Sequence, residues 1–358
     1  MKIERDWLAT LPKTDLHVHL DGSLRPATLL ELAVEADFDL PASSEAEVRT
    51  LTQVQGEERS LSHYLRAFMY TLPVMQTAAA LERIAYELAV DAAAENVRLI
   101  EVRYSPLLHR ERGLHNREII EAVERGLSRA EAETGIIAGQ ILCGIRSMTP
   151  ERSLELAQAT LLYKDLGIVA FDLAGEEKDY PAKQHREAFY FILNHNLNST
   201  LHAGEAFGPE SIAQALHYCG THRIGHGVRL YEDPDLMEYV NDHRIPLEMC
   251  LSSNVHTGAV AELHDHPFRK YLDLGLRVTL NTDNRLISDT TVTKEFDRAV
   301  KAFQLDVGDV HELILNGFKS AFLPHARKAA LMRKVVEELE SLGVPPRHSY
   351  TNGRGDHL

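Results

Sequence analysis

Eight short apolar segments, rich in β-branched residues, recur along the chain, and stretches with helical periodicity separate most of them. Strands alternating with helices are typical of βαβ units and a parallel sheet, and nearly continuous apolar strands indicate burial on both faces. Eight such units are the number that a (β/α)8 TIM barrel requires, so the sequence predicts this α/β fold. The predicted strands are 15–20, 97–105, 139–145, 168–175, 199–205, 223–228, 245–254 and 276–284.

The longest interval between predicted strands separates the first from the second, which predicts a helical insertion at about 23–96. Part of it, 59–76, places Leu61, Tyr64, Leu65 and Phe68 on one helical face. Such a face either packs on the flank of the barrel or roofs its mouth. We predict one barrel domain over 1–341 and a flexible tail over 342–358, where periodicity is lost.

Composition restricts the class of function. The formal net charge is −15, which argues against a nucleic-acid partner, because such surfaces need clustered Lys and Arg. Three widely spaced cysteines predict a reducing compartment without a disulfide framework. The start of the chain lacks a signal-peptide core, and no apolar run reaches the roughly 18 residues of a membrane helix. We therefore expect a cytoplasmic protein with no membrane partner; its oligomeric state stays open.

The stretch TDLHVHLDGSL places two histidines, His17 and His19, one residue apart within a predicted strand. Residues i and i+2 of a strand point to the same face, so the two imidazoles lie side by side. The pair could bind a metal ion or could be two hydrogen-bonded histidines at a strand end. The spacing alone does not decide, because a metal site needs more ligands.

More polar residues stand at the ends of later predicted strands, namely His202 and Glu205 in HAGE, His226 in RIGHG and Asp283 in LNTDN. The carboxyl ends of barrel strands form the active-site face, so these side chains should converge with the first two histidines. Each has an ordinary explanation by itself, such as a capping or strand-ending role. Together, imidazoles and a carboxylate form a credible ligand set for a divalent transition metal, zinc above all, although the same ligands would also suit iron.

At this point the chain resembles the adenosine deaminase family, within the metal-dependent amidohydrolases. The resemblance runs in the family's order from residue 11 to about 330. The matching stretches are LPKTDLHVHLDGSLRP, YLRAF, IEVRYSP, FDLAGEE, HAGE, RIGHGV, CLSSN and TDN.

The resemblance implies one Zn²⁺ per subunit, held by His17, His19, His202 and Asp283. Zinc lowers the pKa of a bound water, and the resulting hydroxide would attack purine C6. The implied reaction converts adenosine and 2′-deoxyadenosine to inosine and 2′-deoxyinosine, with release of ammonia.

The resemblance also implies three catalytic residues. Glu205 would protonate ring N1, which requires a pKa raised by burial. His226 would orient the hydroxide and stabilise the oxyanion, and Asp283 would take a proton from the water.

Seven residues are implied to contact a purine nucleoside substrate. They are His19, Asp21, Gly175, Asn284, Tyr64, Leu65 and Phe68. Asp21 matches an aspartate that accepts a hydrogen bond from the ribose 5′-hydroxyl and would repel a 5′-phosphate. The backbone N–H of Gly175 would bind purine N3. Tyr64, Leu65 and Phe68 match the apolar helix over the ribose.

One position departs from the family pattern. Many members read TDDP, whereas this chain reads TDNRL, with Asn284 where the second aspartate binds purine N7. An amide always carries N–H donors, so the contact to N7 is retained in principle. The departure leaves open other 6-aminopurine substrates: adenine, a 5′-elaborated adenosine such as aminodeoxyfutalosine or methylthioadenosine, or an N6-substituted nucleotide.

Two further alternatives are weaker. A catalytically inactive relative would be expected to have lost a ligand or the acid, yet all six positions are present. A cytidine-deaminase-type zinc site is excluded, because it needs a P-C-x-x-C motif that the chain lacks.

Overall fold

The computed structural model describes residues 3–54 and 59–347, and these contain eight parallel strands. Each strand pairs with the next one in chain order, so the predicted TIM barrel is confirmed. The strands are β1 (Lys13–His19), β2 (Val97–Tyr104), β3 (Ile137–Ile145), β4 (Ile168–Ala174), β5 (Asn198–Ala203), β6 (Arg223–His226), β7 (Leu247–Met249) and β8 (Val278–Leu280).

The barrel closes between its last and first strands just beyond β8. The N–H of His19 donates to the carbonyl of Asp283 at 2.7 Å, and the N–H of Asp283 donates to the carbonyl of His17 at 2.8 Å. Val18 and Asp283 form a parallel bridge. The backbone closure therefore holds three predicted site residues together.

Helices surround the strands, and α2 to α6 lie between β1 and β2, where the insertion was predicted. The α-helices are α1 (Arg5–Thr10), α2 (Pro26–Glu35), α3 (Glu45–Thr52), α4 (Leu61–Leu65), α5 (Phe68–Thr71), α6 (Ala78–Ala94), α7 (Asn116–Thr134), α8 (Pro150–Leu162), α9 (Arg186–Asn194), α10 (Pro209–His217), α11 (Pro234–Asp242), α12 (Leu251–His256), α13 (Phe268–Asp273), α14 (Val292–Phe303), α15 (Val307–Ser320) and α16 (His325–Ser341). Short 3-10 helices are Leu72–Val74, Pro106–His109, Ala182–His185, Val228–Glu232 and Leu263–Asp265. No helix within the described residues is long and apolar enough to cross a membrane.

Helix starts follow local sequence signals. Ser60 and Thr77 accept hydrogen bonds from backbone N–H groups in the first turns of α4 and α6. Proline opens α8, α10 and α11, where its missing N–H costs no helical hydrogen bond.

The structure differs from the sequence prediction at the seventh strand. The predicted strand 245–254 is limited to β7, and its second half forms α12. The N–H and hydroxyl of Ser252 in α12 both bind the carboxylate of Glu295. Tertiary contacts to α14 therefore replace the ladder hydrogen bonds that a longer strand would need.

The carboxyl end of the chain beyond α16 is partly described. Val344 is buried, and Arg347 pairs with Glu312 at 2.9 Å. Residues 348–358, most of the predicted tail, lie outside the described part of the chain, so the tail and the domain boundary stay predictions.

Candidate active site

Four imidazoles and one carboxylate meet at the carboxyl end of the barrel. The nitrogens of His17, His202 and His226 and an oxygen of Asp283 all lie within 4.8 Å of one another. His19 belongs to the same group, because its Nε2 is 3.1 Å from His202 Nε2 and 3.4 Å from Asp283 Oδ1. The structure thus brings together all four predicted metal ligands. His226 lies equally close, so position alone does not separate it from the ligands.

Two of these residues have left-handed backbone conformations, which are uncommon for residues other than glycine. His226 ends β6 at φ +62°, and Asp283 follows β8 at φ +59°. Such conformations persist only where the surrounding structure enforces them, and they cluster at functional sites.

The pKa shifts of His19 and His202 suit metal binding, which requires unprotonated imidazole nitrogens. Burial lowers the pKa values of His19 and His202. Burial and Arg103 oppose protonation of His17, but the carboxylates of Asp283 and Glu248 outweigh them and raise its pKa. The Nε2 atom of His17 is buried with no hydrogen-bond partner in the described part of the chain. The carboxylates around His17 thus favour a positive charge beside its Nε2 atom, and a metal cation would supply that charge.

Two buried carboxylates orient the imidazoles from behind. Glu248 Oε2 lies 2.9 Å from His17 Nδ1, and Asp172 Oδ2 lies 3.1 Å from His202 Nδ1. Each carboxylate accepts from the Nδ1 of its histidine, which directs the Nε2 lone pair into the site. Arg103 bridges them, at 3.0 Å from Asp172 and 2.9 Å from Glu248.

These contacts keep both carboxylates ionised. Burial alone would raise the pKa of Asp172 and Glu248, but neighbouring histidine and arginine side chains outweigh burial and lower both pKa values well below the ordinary range. His202 and Arg103 act on Asp172, and Arg103 and Arg223 act on Glu248. Arg103 and Asp172 thus support the imidazoles through an ion pair. Arg146 supports the site differently, by donating to the carbonyl of His202.

Glu205 is a buried carboxyl group facing the imidazoles, with its Oε2 3.5 Å from His226 Nε2. Burial, followed by the charges of Asp283 and Glu177, raises the pKa of Glu205 well above its ordinary value. Its Oε1 has no partner within residues 3–54 and 59–347. The raised pKa favours the carboxylic acid form of Glu205, which could donate its proton to a ligand in the cavity.

The loop that carries Glu205 is held by Glu177. The carboxylate of Glu177 accepts backbone N–H groups of Gly204 at 2.6 Å, Glu205 at 3.0 Å, Ala206 at 2.6 Å and Phe207 at 2.9 Å. Four donors on one carboxylate fix the loop conformation.

A cavity in front of these groups contains most of the predicted substrate-binding residues. Its lining is His19, Leu61, Tyr64, Leu65, Phe68, Ala174, Gly175, His202, Glu205, His226, Asp283 and Asn284. Gly175 has φ +101°, which a side chain rarely adopts. The hydroxyl of Tyr64 lies 2.7 Å from Ser288 Oγ, which fixes α4 over the mouth of the barrel. The predicted apolar face therefore contributes a wall of the cavity, although the stretch is divided between α4 and α5.

Asp21 and Asn284 carry buried oxygens without partners in the part of the chain that the structure describes. Burial raises the pKa of Asp21 to about 7. Asp21 lies outside the cavity lining itself, in the turn after β1. A Cβ atom added to Gly22 would lie 1.7 Å from Asn284 Oδ1, so glycine is required for the position of Asn284.

Comparison with known proteins identifies the family. The profile described as Adenosine deaminase matches residues 12–338. The chain belongs to the adenosine deaminase family. It is 42% identical over 346 residues to an adenosine deaminase of Mycobacterium sp. (strain JLS), covering 92% of this chain and 95% of that protein. It is 40% identical to a probable adenosine deaminase of Dictyostelium discoideum, covering 93% of this chain but only 43% of that relative.

Solved structures of two deaminases share the fold. The adenine deaminase of Arthrobacter aurescens superposes with a TM-score of 0.86 at 28% identity, over 92% of this chain and 100% of that one. The N6-mAMP deaminase of Arabidopsis gives a TM-score of 0.83 at 28% identity, over 93% and 99% of the two chains. Membership of the adenosine deaminase family makes the protein a hydrolase of C–N bonds in cyclic amidines, which removes a purine amino group.

Sequence reasoning missed three residues that shape this deaminase site: Glu248, Glu177 and Gly22. A signal for Glu248 was present, because it is the only charged residue in the apolar segment IPLEMCL. Gly22 and Glu177 lie in the matching stretches LPKTDLHVHLDGSLRP and FDLAGEE, but they act through contacts to residues distant in the chain, which the stretches do not reveal.

Proposed function

We propose that the protein hydrolyses adenosine and 2′-deoxyadenosine to inosine and 2′-deoxyinosine, with release of ammonia, in a zinc-dependent reaction. The observation that carries the proposal is that a proton donor and a set of metal ligands face each other across one cavity. A protonated acid, Glu205, faces a metal-ligand set built on His17, His19, His202 and Asp283. Hydrolysis of an amidine requires both an acid and an activated water.

The residues fit zinc by the chemistry of their donors. Three imidazole nitrogens and one carboxylate oxygen form a common zinc ligand set, and the unpaired Nε2 of His17 points into it. When bound, zinc lowers the pKa of water and so supplies the nucleophile for addition at purine C6.

The side chains of this chain would handle the protons. Glu205 donates its proton to purine N1, which makes C6 electrophilic. His226 donates from Nε2 to the oxygen that adds to C6. Burial opposes ionisation of Asp283, but the adjacent His17, His19 and His226 outweigh it and lower its pKa, so Asp283 is ionised, as a proton acceptor must be. It would take one proton from the attacking water and pass it to the amino group, which leaves as ammonia when the C6–N bond breaks. The remaining proton on the added oxygen would restore the acid form of Glu205.

The substrate-side residues favour a nucleoside. The buried Oδ1 of Asp21, which has no partner in the described part of the chain, can accept a hydrogen bond from the ribose 5′-hydroxyl. The ionised form of Asp21, which prevails above its pKa of about 7, would repel a 5′-phosphate. The N–H of Gly175 would bind purine N3, and the amide of Asn284 would donate to N7. Relatives named for adenosine agree with this assignment, whereas structural neighbours act on adenine and on N6-methyl-AMP by their names.

Ammonia release by the zinc-loaded protein tests the substrate directly. The panel is adenosine, 2′-deoxyadenosine, adenine, 5′-methylthioadenosine, AMP and N6-methyl-AMP. Rapid turnover of the first two alone supports the proposal. Preference for adenine or for a 5′-substituted compound would keep the chemistry and overturn the substrate assignment.

Asp21→Asn gives a sharper test of the 5′-hydroxyl contact. Loss of a charge-assisted hydrogen bond of about 1.5–3 kcal/mol should lower kcat/KM for adenosine roughly 10- to 150-fold. The same variant should change kcat/KM for 5′-deoxyadenosine little, because that compound lacks the hydroxyl. An equal loss for both compounds would remove Asp21 from ribose recognition.

A further inference from the structure

The amide of Asn254 lies between two imidazoles behind the active site. Asn254 Nδ2 is 3.0 Å from His226 Nδ1, and Asn254 Oδ1 is 3.2 Å from His266 Nε2. All three side chains are buried. The direction of each hydrogen bond in this row decides which nitrogen of His226 carries its hydrogen.

The first hydrogen bond in this series of three side chains has a fixed direction. The backbone N–H of Phe268 donates to His266 Nδ1 at 3.1 Å, and a backbone N–H cannot accept. His266 Nδ1 is therefore an acceptor, and the ring carries its only hydrogen on Nε2. Burial lowers the pKa of His266 to about 3, which agrees with a neutral ring.

The donor and acceptor roles of Asn254 and His226 follow in turn from that of His266. His266 Nε2–H donates to Asn254 Oδ1, so the Nδ2 group of Asn254 faces His226 and donates to its Nδ1. A neutral His226 whose Nδ1 accepts must carry its hydrogen on Nε2. That nitrogen points towards Glu205, 3.5 Å away, on the cavity side.

We propose that Asn254 and His266 are positioning residues that fix the Nε2–H tautomer of His226, which makes His226 a hydrogen-bond donor to the reacting oxygen and excludes it from the metal ligands. The donor role rests on the proposed function. The exclusion rests on the hydrogen-bond directions: Nδ1 of His226 accepts from Asn254, so its Nε2 carries the hydrogen, whereas carboxylates face the Nδ1 atoms of His17 and His202 and leave their Nε2 atoms free of hydrogen. His19 is left as the third imidazole ligand.

Nitrogen-15 NMR of the full chain with labelled histidine reads the tautomer without reference to activity. The His226 signals are assigned by their absence from His226→Gln. We expect the Nε2–H pattern in the wild-type protein at neutral pH, with and without zinc. An Nδ1–H pattern for His226, or loss of its Nε2 hydrogen when zinc is added, would overturn the proposal.

Asn254→Asp should reverse the direction of the hydrogen bond between residue 254 and His226. A carboxylate can only accept, so His226 should change to Nδ1–H, and kcat should fall about 10- to 100-fold with little change in KM. An unchanged tautomer would contradict the proposal.

His266 provides a matched pair of variants in case the Asn254→Asp substitution disturbs folding. His266→Gln retains an amide donor for Asn254 and should keep the Nε2–H pattern and most of kcat. His266→Leu removes the donor and should give mixed tautomers with reduced kcat. Equal tautomer patterns in the two variants would refute the role of His266. Absence of deaminase activity on every 6-aminopurine, with the Nε2–H pattern intact, would instead overturn the proposed function.

Discussion

The histidines on opposite sides of the site have different partners. His17 and His202 are each backed by a carboxylate, whereas His226 is backed by the amide of Asn254. A carboxylate demands a donor and leaves Nε2 with a lone pair, but an amide N–H demands an acceptor and leaves Nε2 with a hydrogen. Imidazoles of identical composition, 4.5 to 5.2 Å apart by ring centroids, are thereby assigned to opposite tasks.

The largest expected effect concerns the groups that donate a hydrogen to the substrate, His226 and the adjacent Glu205. Glu205→Gln removes the proton offered to the substrate and should lower kcat by about 10²–10⁴-fold, the usual contribution of a general acid. Zinc content should stay at the wild-type level, because Glu205 is not assigned as a ligand. Glu210→Gln, at an exposed position in the same segment, is the control and should retain full activity. Loss of zinc from Glu205→Gln would show that the proton donor and the metal ligands are not independent of each other.

For the imidazoles assigned as zinc ligands, Glu248→Gln should lower zinc affinity about 10- to 100-fold, because the carboxylate that orients His17 becomes an uncharged amide, which is a weaker acceptor. Competition with a chelating dye measures this affinity.

Glu101→Gln is the matched control for Glu248→Gln. Glu101 is also buried and pairs with the same Arg223, at 2.7 Å, but contacts neither His17 nor His202. Both variants should lower the melting temperature, since both leave Arg223 with one carboxylate fewer, and only Glu248→Gln should weaken zinc binding. Equal zinc affinities in the two variants would show that Glu248 acts only on stability.

The smallest effect is a shift in pH dependence. The active form of Glu205 is protonated, and burial with nearby negative charge raises the pKa of this carboxyl group, which extends the protonated form to higher pH. Activity should therefore be level through neutral pH and fall, by about tenfold per unit, once the pH rises above the raised pKa. A pH profile of kcat tests this expectation. A loss of activity on raising the pH past the ordinary glutamate pKa would mean that the pKa of Glu205 is not raised, and a loss on lowering the pH through that pKa would mean that the carboxylate, not the acid, is required.

Much of the fold could be predicted from the sequence. Eight buried strands leave a strong apolar pattern, because both faces of each strand are covered. His17, His202, His226 and Asp283 could be placed at one end of the barrel, because parallel strands in a closed barrel all end at the same rim. The length of the seventh strand could not, since Ser252 in α12 is held by Glu295 from α14.

The sequence by itself determined the barrel, the rim on which the site is built and the chemical types available there. Only the tertiary structure decided what each imidazole can do. The partners of His17, His202 and His226 are 231, 30 and 28 residues away along the chain, and a hydrogen bond across that distance leaves no local pattern. Burial decided the rest, because the protonation of Glu205 depends on the absence of water around it and not on its neighbours in sequence.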